Sequence, residues 1–229
     1  MPDSRYLPSS QAASAFVGLT PFIVLAMLNG LYNPWLFEAS VSLFWLVDFI
    51  HYWAIPLAAL YFLYRHAGLT PRDYGLARAN RYYPAWEMLG AGIFVAALLV
   101  AVSTVSWHLG TLLFGWSDYA FSFGMVVPEG GLRVLVVLYL AITAGFVEEV
   151  MYRGLMWTAL SRLPYRRLAK FIYIVPGSMI FALVHWEQGV AGIFSAFAFG
   201  VVAAMLYLSL KNLWPMIAAH TLVDVYYFW

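Results

Sequence analysis

An all-α, polytopic membrane helix bundle is the fold class this sequence predicts, and three observations predict it. Hydrophobic residues fill 64% of the 229 positions and charged residues only 10%, against about 25% charged in ordinary soluble domains. The apolar residues gather into runs of about 20, the length a helix needs to cross hydrocarbon. Two adjacent carboxylates, Glu148 and Glu149, lie at the end of one such run, Val134 to Val147. An acid at that depth costs about 2.5–3.5 kcal/mol on insertion scales, so its default meaning is a working site.

Taken in order, the apolar runs predict about seven spans, near 14–36, 41–64, 86–114, 133–152, 176–190, 191–210 and 213–229. The first is expected to be an uncleaved span, since no small-residue cleavage site follows it. The fifth and sixth form one nearly continuous apolar stretch, broken by Glu187-Gln188-Gly189 as a tight re-entry. Basic residues sort by side. Arg65, Arg72, Arg78 and Arg81 follow the second span, and Arg153, Arg162, Arg166, Arg167 and Lys170 follow the fourth, whereas Glu38, Asp118 and Glu129 occupy the alternate loops, with Arg133 the one basic exception. The excess of cations on one side predicts a cytoplasmic N-terminus. Residues 162–175 mix cations with Tyr and Phe and read as a segment lying in the interface. The fifth span then starts at Pro176, whose missing N–H costs nothing in a first helical turn. A rise of about 1.5 Å per residue then puts Glu148, His185 and His220 in one layer in the cytoplasmic half of the bilayer. The whole chain, 1–229, reads as a single integral-membrane domain with its catalytic core at about 70–229.

Composition also excludes. A formal net charge of +1 leaves no basic surplus for nucleic acid. Partners are therefore the lipid bilayer and a membrane-associated peptide or protein. With no cysteine there is no disulfide, no thiolate nucleophile and no Cys-type zinc site. The aromatic load, 19% Phe, Trp and Tyr, suits interfacial belts and core filling.

Helical spacing assigns the charged residues. Glu149 and Arg153 are four apart, acid first, so they can pair on one face, while Glu148 points about 100° away and stays unpaired. Glu148 is thus the candidate general base, against the alternative that the pair is a structural ion pair near a helix end. Phe181 and His185 share a face, and so do His220 and Asp224. A carboxylate that orients a histidine is a recurring catalytic arrangement, with a structural His/Asp hydrogen bond as the alternative.

Three motifs, Glu148-Glu149-x-x-x-Arg153, Phe181-x-x-x-His185 and His220-x-x-x-Asp224, stand in this order on three spans. Together they resemble the CAAX-protease and bacteriocin-processing (Abi) group of intramembrane proteases, which includes the Rce1-type prenyl-protein endopeptidases. Asp73-Tyr74-Gly75-Leu76, Gly200 and Asn212-Leu213-Trp214-Pro215 resemble the group's lead-in and linker. The resemblance implies an intramembrane endopeptidase in which Glu148 and His185 activate water while His220 and Asp224 stabilise the oxyanion, with Glu149 and Arg153 completing the catalytic set. Asp224 stands where many members have Asn, and an acid donates a hydrogen bond only when protonated. No cofactor is favoured. The alternative is a zinc ion held by Glu148, His185, His220 and Asp224, although zinc sites often show closer spacing such as H-E-x-x-H. Compact size points to a prokaryotic plasma membrane.

Other polar residues have quieter readings. Asp48 and His51, three apart within an apolar run, are expected to form a local hydrogen bond or to support the site, and His108 is expected at the interface. Two other function classes compete with proteolysis. A proton-coupled transporter would also use intramembrane Glu, His and Asp, but predicts an inverted repeat that the sequence lacks. An immunity-type binding protein would not require the three motifs together.

Overall fold

The structure is a computed structural model that describes residues 9–76, 85–116 and 121–229. Arg78, Arg81 and Asp118, used above to orient the chain, lie outside the described residues. All regular structure among the described residues is helical. Seven long helices follow one another: α1 (Ser9–Ala39), α2 (Val41–Ala67), α3 (Ala85–Phe114), α4 (Arg133–Leu160), α5 (Arg166–Leu183), α6 (Gly189–Leu210) and α7 (Trp214–Phe228). By length and composition five of the described helices can cross a membrane: α1, α2, α3, α4 and the segment Trp186–Leu210 that contains α6. The count of seven therefore stands at five on this measure. α5 has 18 residues and opens on Arg166, Arg167 and Lys170, and α7 has 15 residues, about 22 Å of helix.

Two boundaries differ from the sequence expectation for identifiable reasons. α5 begins at Arg166, so Pro176 lies inside the helix, not in its first turn, and residues 166–175 are its first half. A proline within a buried helix is tolerated where neighbouring segments satisfy the freed carbonyl. α4 does not stop near 152 but runs to Leu160. Glu148 thus lies near the middle of its helix, about 22 Å from the start and 18 Å from the end, rather than a few residues from the cytoplasmic end. The charges do not terminate the helix because they are neutralised inside the protein, as described below.

The bundle is apolar outside and holds its charged groups within a largely apolar interior. Large side chains such as Phe94, Leu112, Leu135 and Tyr61 face outward, whereas Glu148, Glu149, Arg153 and His220 are buried. Water-soluble proteins do the reverse. The re-entry expected at Glu187-Gln188-Gly189 is present. α5 ends at Leu183, Trp186–Gln188 form a single tight turn, and Gly189, at φ +74°, opens α6. α6 then packs between α3 and α5, and α7 packs against α3 and α4.

On the face opposite that turn, the segment after α2 docks on the bundle. Thr70 N–H and Oγ1 donate to Asp73 Oδ2 at 2.7 and 2.8 Å, closing a turn. Thr158 Oγ1 donates to Asp73 O at 2.8 Å, and Leu213 N–H donates to Gly75 O at 3.0 Å. Gly154 is glycine because a Cβ there would lie 2.6 Å from Tyr74 O. Lys211 ends α6 in the left-handed region, φ +52°, with its Nζ 4.1 Å from the centre of the Trp157 ring. Burial, then the nearby Lys170 and Arg166, push its pKa down to about 8. Lys211 thus lies beside Arg166 and Lys170, cations of the stretch that follows α4.

α4 and α7 touch backbone to backbone at Gly145. A Cβ there would run into Thr221 Oγ1, lie 2.8 Å from Thr221 N and 3.1 Å from Ile217 O. Gly145→Ala is expected to destabilise the protein by about 1–3 kcal/mol through overpacking, read as a lower unfolding midpoint in detergent. Gly92→Ala, where nothing lies within 4 Å, is the control and should leave the midpoint unchanged or raise it. Equal midpoints for the two variants would show that the helices do not meet this closely.

Candidate functional site

Two helices, α4 and α7, and the turn after α5 deliver the catalytic candidates, and local backbone geometry aims them. In α4 the segment Glu149–Leu155 is π-helical, with Met156 N–H reaching back to Met151 O. In α2 the segment Ile50–Ala54 is also π-helical, with Ile55 N–H reaching back to Ile50 O. Pro56 follows at once and has no N–H to give, which removes one bond of the regular ladder. Each π turn inserts extra backbone and rotates the following side chains, a device concentrated at functional positions. The two turns face one another across the bundle: Tyr52 Oη donates to Glu148 Oε1 at 3.4 Å.

Glu149 is the most enclosed acid, with 0% exposure. Arg153 Nε lies 3.4 Å from Glu149 Oε2, the pairing expected from the i,i+4 spacing. The guanidinium also sits 4.2 Å from the centre of the Phe181 ring and 5.5 Å from that of Phe199. Cation–π attraction of this kind is worth about 2 kcal/mol when desolvated. Tyr173 Oη donates to Arg153 O at 3.2 Å. The other oxygen of Glu149 has a second partner that spacing did not reveal: His220 Nδ1–H donates to Glu149 Oε1 at 2.8 Å.

That bond decides which face of His220 is free. With Nδ1 carrying the donated proton, Nε2 points at Glu148 Oε2, 3.9 Å away, and at Asp224 Oδ2, 3.8 Å away. Both gaps exceed direct hydrogen-bond length and suit one small polar guest between the groups. Asp224 thus lies beside His220 as the four-residue spacing predicted. His185 is not on a helix face. It follows the end of α5, with Nδ1 2.8 Å from Phe181 O and its ring 4.9 Å from the Phe181 ring. The Phe181 ring is in turn 6.3 Å from the His220 ring, so one phenyl separates the imidazoles.

Glu148, His185, His220 and Asp224 all line one cavity of about 450 Å³. It lies at the centre of the bundle and extends along α7 to Tyr227 and Phe228, where Ser122-Phe123-Gly124 border it. Glu149 and Arg153 do not line the cavity. Among the described residues no three or more of His, Cys, Asp and Glu are grouped as metal ligands. Nδ1 of each imidazole is engaged, by Glu149 in one case and Phe181 O in the other, which leaves Nε2 as the nitrogen available for chemistry.

Asp48 and His51 do not pair with each other. Asp48 Oδ2 accepts from Tyr139 Oη at 2.9 Å, while His51 Nδ1 lies 3.0 Å from Tyr32 Oη and Nε2 3.4 Å from Phe22 O. Asp48 lines the cavity and His51 does not. His108 Nδ1 stays within its own helix, 2.7 Å from Thr104 O. Sequence reasoning missed Tyr52, whose partner Glu148 lies 96 positions away, and gave Glu187 only a turn. The Pro56 that follows Tyr52 is the one signal that its backbone is irregular.

Residues 130–226 match the Rce1-like family, described as type II CAAX prenyl endopeptidase Rce1-like. The match spans all three motifs and begins after the lead-in at 73–76. No curated protein and no solved structure matches the chain.

Glu149→Gln keeps the shape of the side chain but leaves Arg153 buried beside a neutral group. Breaking one partner of a buried ion pair costs about 3–5 kcal/mol, so this variant should unfold at markedly lower denaturant than the wild type. Glu149→Gln combined with Arg153→Met should recover much of the loss. If the double variant is no more stable than the single one, Glu149 is not what holds Arg153.

Proposed function

We propose that this Rce1-like domain is an intramembrane endopeptidase that hydrolyses a peptide bond in a membrane-associated peptide or protein, with Glu148 as general base. The single observation that carries the reading is the convergence of Glu148, His220 and Asp224 on one small gap, with His185 lining the same cavity, inside a bundle whose outer surface is apolar. Peptide hydrolysis needs a base for water, donors at the developing oxyanion, and a cavity that admits water but shields the reaction. At 3.9 Å, His220 Nε2 and Glu148 Oε2 are close enough for one water on the cavity side to bond to both.

In this scheme Glu148 takes a proton from water as the hydroxide adds to the carbonyl carbon. His185 assists in orienting that water. Protonated His220 donates Nε2–H to the oxyanion, and Asp224 donates to it only as the neutral acid. The tetrahedral intermediate then collapses: the C–N bond breaks, and the proton held by Glu148 passes to the departing amine. Glu149 and Arg153 are positioning residues. Glu149 fixes the tautomer and tilt of His220, and Arg153 keeps Glu149 ionised. Tyr52 holds Glu148 from the other side.

The chain is an integral membrane protein, with the N-terminus proposed as cytoplasmic. The matched family takes prenylated CAAX termini, and a lipid-modified carboxyl-terminal peptide is accordingly the first substrate to try. Glu148→Gln is expected to lower cleavage by at least about 10²-fold, the lower end of what general base catalysis supplies, with the unfolding midpoint kept. Comparative peptide profiling of membranes from wild type and variant would read this as one peptide whose length changes. Undiminished cleavage by Glu148→Gln would refute the assignment.

A further inference from the structure

The cavity holds more hydrogen-bond acceptors than the hydrolysis needs. Four carboxylates line it, Asp48, Glu148, Glu187 and Asp224, against two imidazoles and no lysine or arginine. Glu148 and Asp224 face His220. Asp48 and Glu187 do not belong to that centre: Asp48 comes from α2, and Glu187 from the turn between α5 and α6. Asn29 of α1 completes this wall, next to Gly30, whose Cα lies so near Glu187 that an added Cβ would be 2.8 Å from Glu187 Cβ.

Two of these groups each bury one oxygen that has no hydrogen bond. Glu187 is 5% exposed and its Oε2 has no hydrogen bond, and Asn29 is also 5% exposed with Oδ1 unbonded. A buried acceptor without a donor costs about 1–3 kcal/mol, more when it is charged. Such a cost persists where the missing donor arrives with a ligand. A cationic donor suits this corner, since it enters beside the carboxyl groups of Asp48 and Glu187 and the cavity wall holds no lysine or arginine. Resting on the endopeptidase reading, we infer that Asp48, Glu187 and Asn29 form a subsite for a positively charged group of the substrate, a lysine or arginine side chain or an amino-terminal ammonium, next to the bond that is cut. An ammonium brings three donors and no acceptor, which matches the acceptor oxygens that Asp48, Glu187 and Asn29 offer here. The preference operates at the approach to the centre: a peptide with a cation there is held by the carboxylates while its neighbouring carbonyl reaches His220.

The test uses the purified full-length protein in detergent and a set of apolar, internally quenched peptides. Each peptide carries one lysine, moved stepwise along the sequence, and is paired with a copy bearing norleucine at that position. Cleavage is read with the wild type and binding with Glu148→Gln. Lysine at one position is expected to raise kcat/KM, and to tighten binding to Glu148→Gln, by about tenfold or more, the scale of one charged hydrogen bond. Glu187→Gln and Asp48→Asn should each reduce that preference while the norleucine peptides are handled as before, and Glu187→Lys should shift the preference to a glutamate peptide. Wild-type cleavage with no charge preference at any position overturns the subsite and leaves the endopeptidase reading standing. Charge-selective binding without cleavage overturns the endopeptidase reading and leaves the subsite. Equal weakening of lysine and norleucine peptides in both Glu187→Gln and Asp48→Asn would assign these residues to the framework instead.

Discussion

A guanidinium, a carboxylate and an imidazole share one water-poor space at the centre of this bundle, and the rest of the site hangs on how they satisfy each other. Arg153 sits at 2% exposure, Glu149 at 0% and His220 at 5%, so none can be neutralised by solvent. Glu149 spends one oxygen on Arg153 and the other on His220. The chain of contacts runs from the middle of α4 to α7, and it couples the charge that holds the helices together to the imidazole that faces the cavity. Phe181 and Phe199 cover the guanidinium, keeping the local dielectric low and the interactions strong. The cost of placing these charges in apolar surroundings explains why Phe181 belongs to the same motif as His185: the ring packs against Arg153 and against both imidazoles.

The second element of the arrangement is backbone irregularity at two matched places. The π turns at 50–54 and 149–155 let α2 and α4 each turn polar side chains toward the centre while the same helices keep apolar faces outward. Tyr52 and Glu148 meet there, and Trp53 Nε1 donates to Thr143 Oγ1 at 3.1 Å nearby. A regular helix would place Glu149 and Arg153 at the same pairing distance, but it would carry the residues beyond them at a different angle. The break between α5 and α6 has a comparable effect. It drops His185 and Glu187 into the cavity from a turn, a position no continuous helix through that stretch would give them.

Several features were legible without coordinates because they depend on local spacing. The Glu149–Arg153 pair and the closeness of His220 to Asp224 follow from one helical turn, and the re-entry at 187–189 follows from two polar residues and a glycine inside an apolar run. The turn at Asp73 is equally local. Helix ends near charged residues are not legible in the sequence, because apolar run length stops at a charge whether or not the helix does. Within α4 Glu149 pairs with Arg153 one turn on and with His220 71 positions away, so the helix runs past these charges to Leu160. Pro176 is equally ambiguous in the sequence: whether proline starts a helix or sits inside one depends on whether neighbouring segments satisfy the freed carbonyl.

The amino-acid sequence by itself determined that the chain is a membrane helix bundle and that Glu148, His185, His220 and Asp224 are its unusual residues, since hydrophobic run length and i,i+4 periodicity are properties of consecutive positions. Only tertiary structure decided that Glu149 orients His220, that Tyr52 supports Glu148, and that Asp48, Asn29 and Glu187 face the same cavity. Those contacts join residues far apart in the chain, and which distant polar groups meet is settled by how whole helices pack, with glycines such as Gly145 allowing the closest approaches.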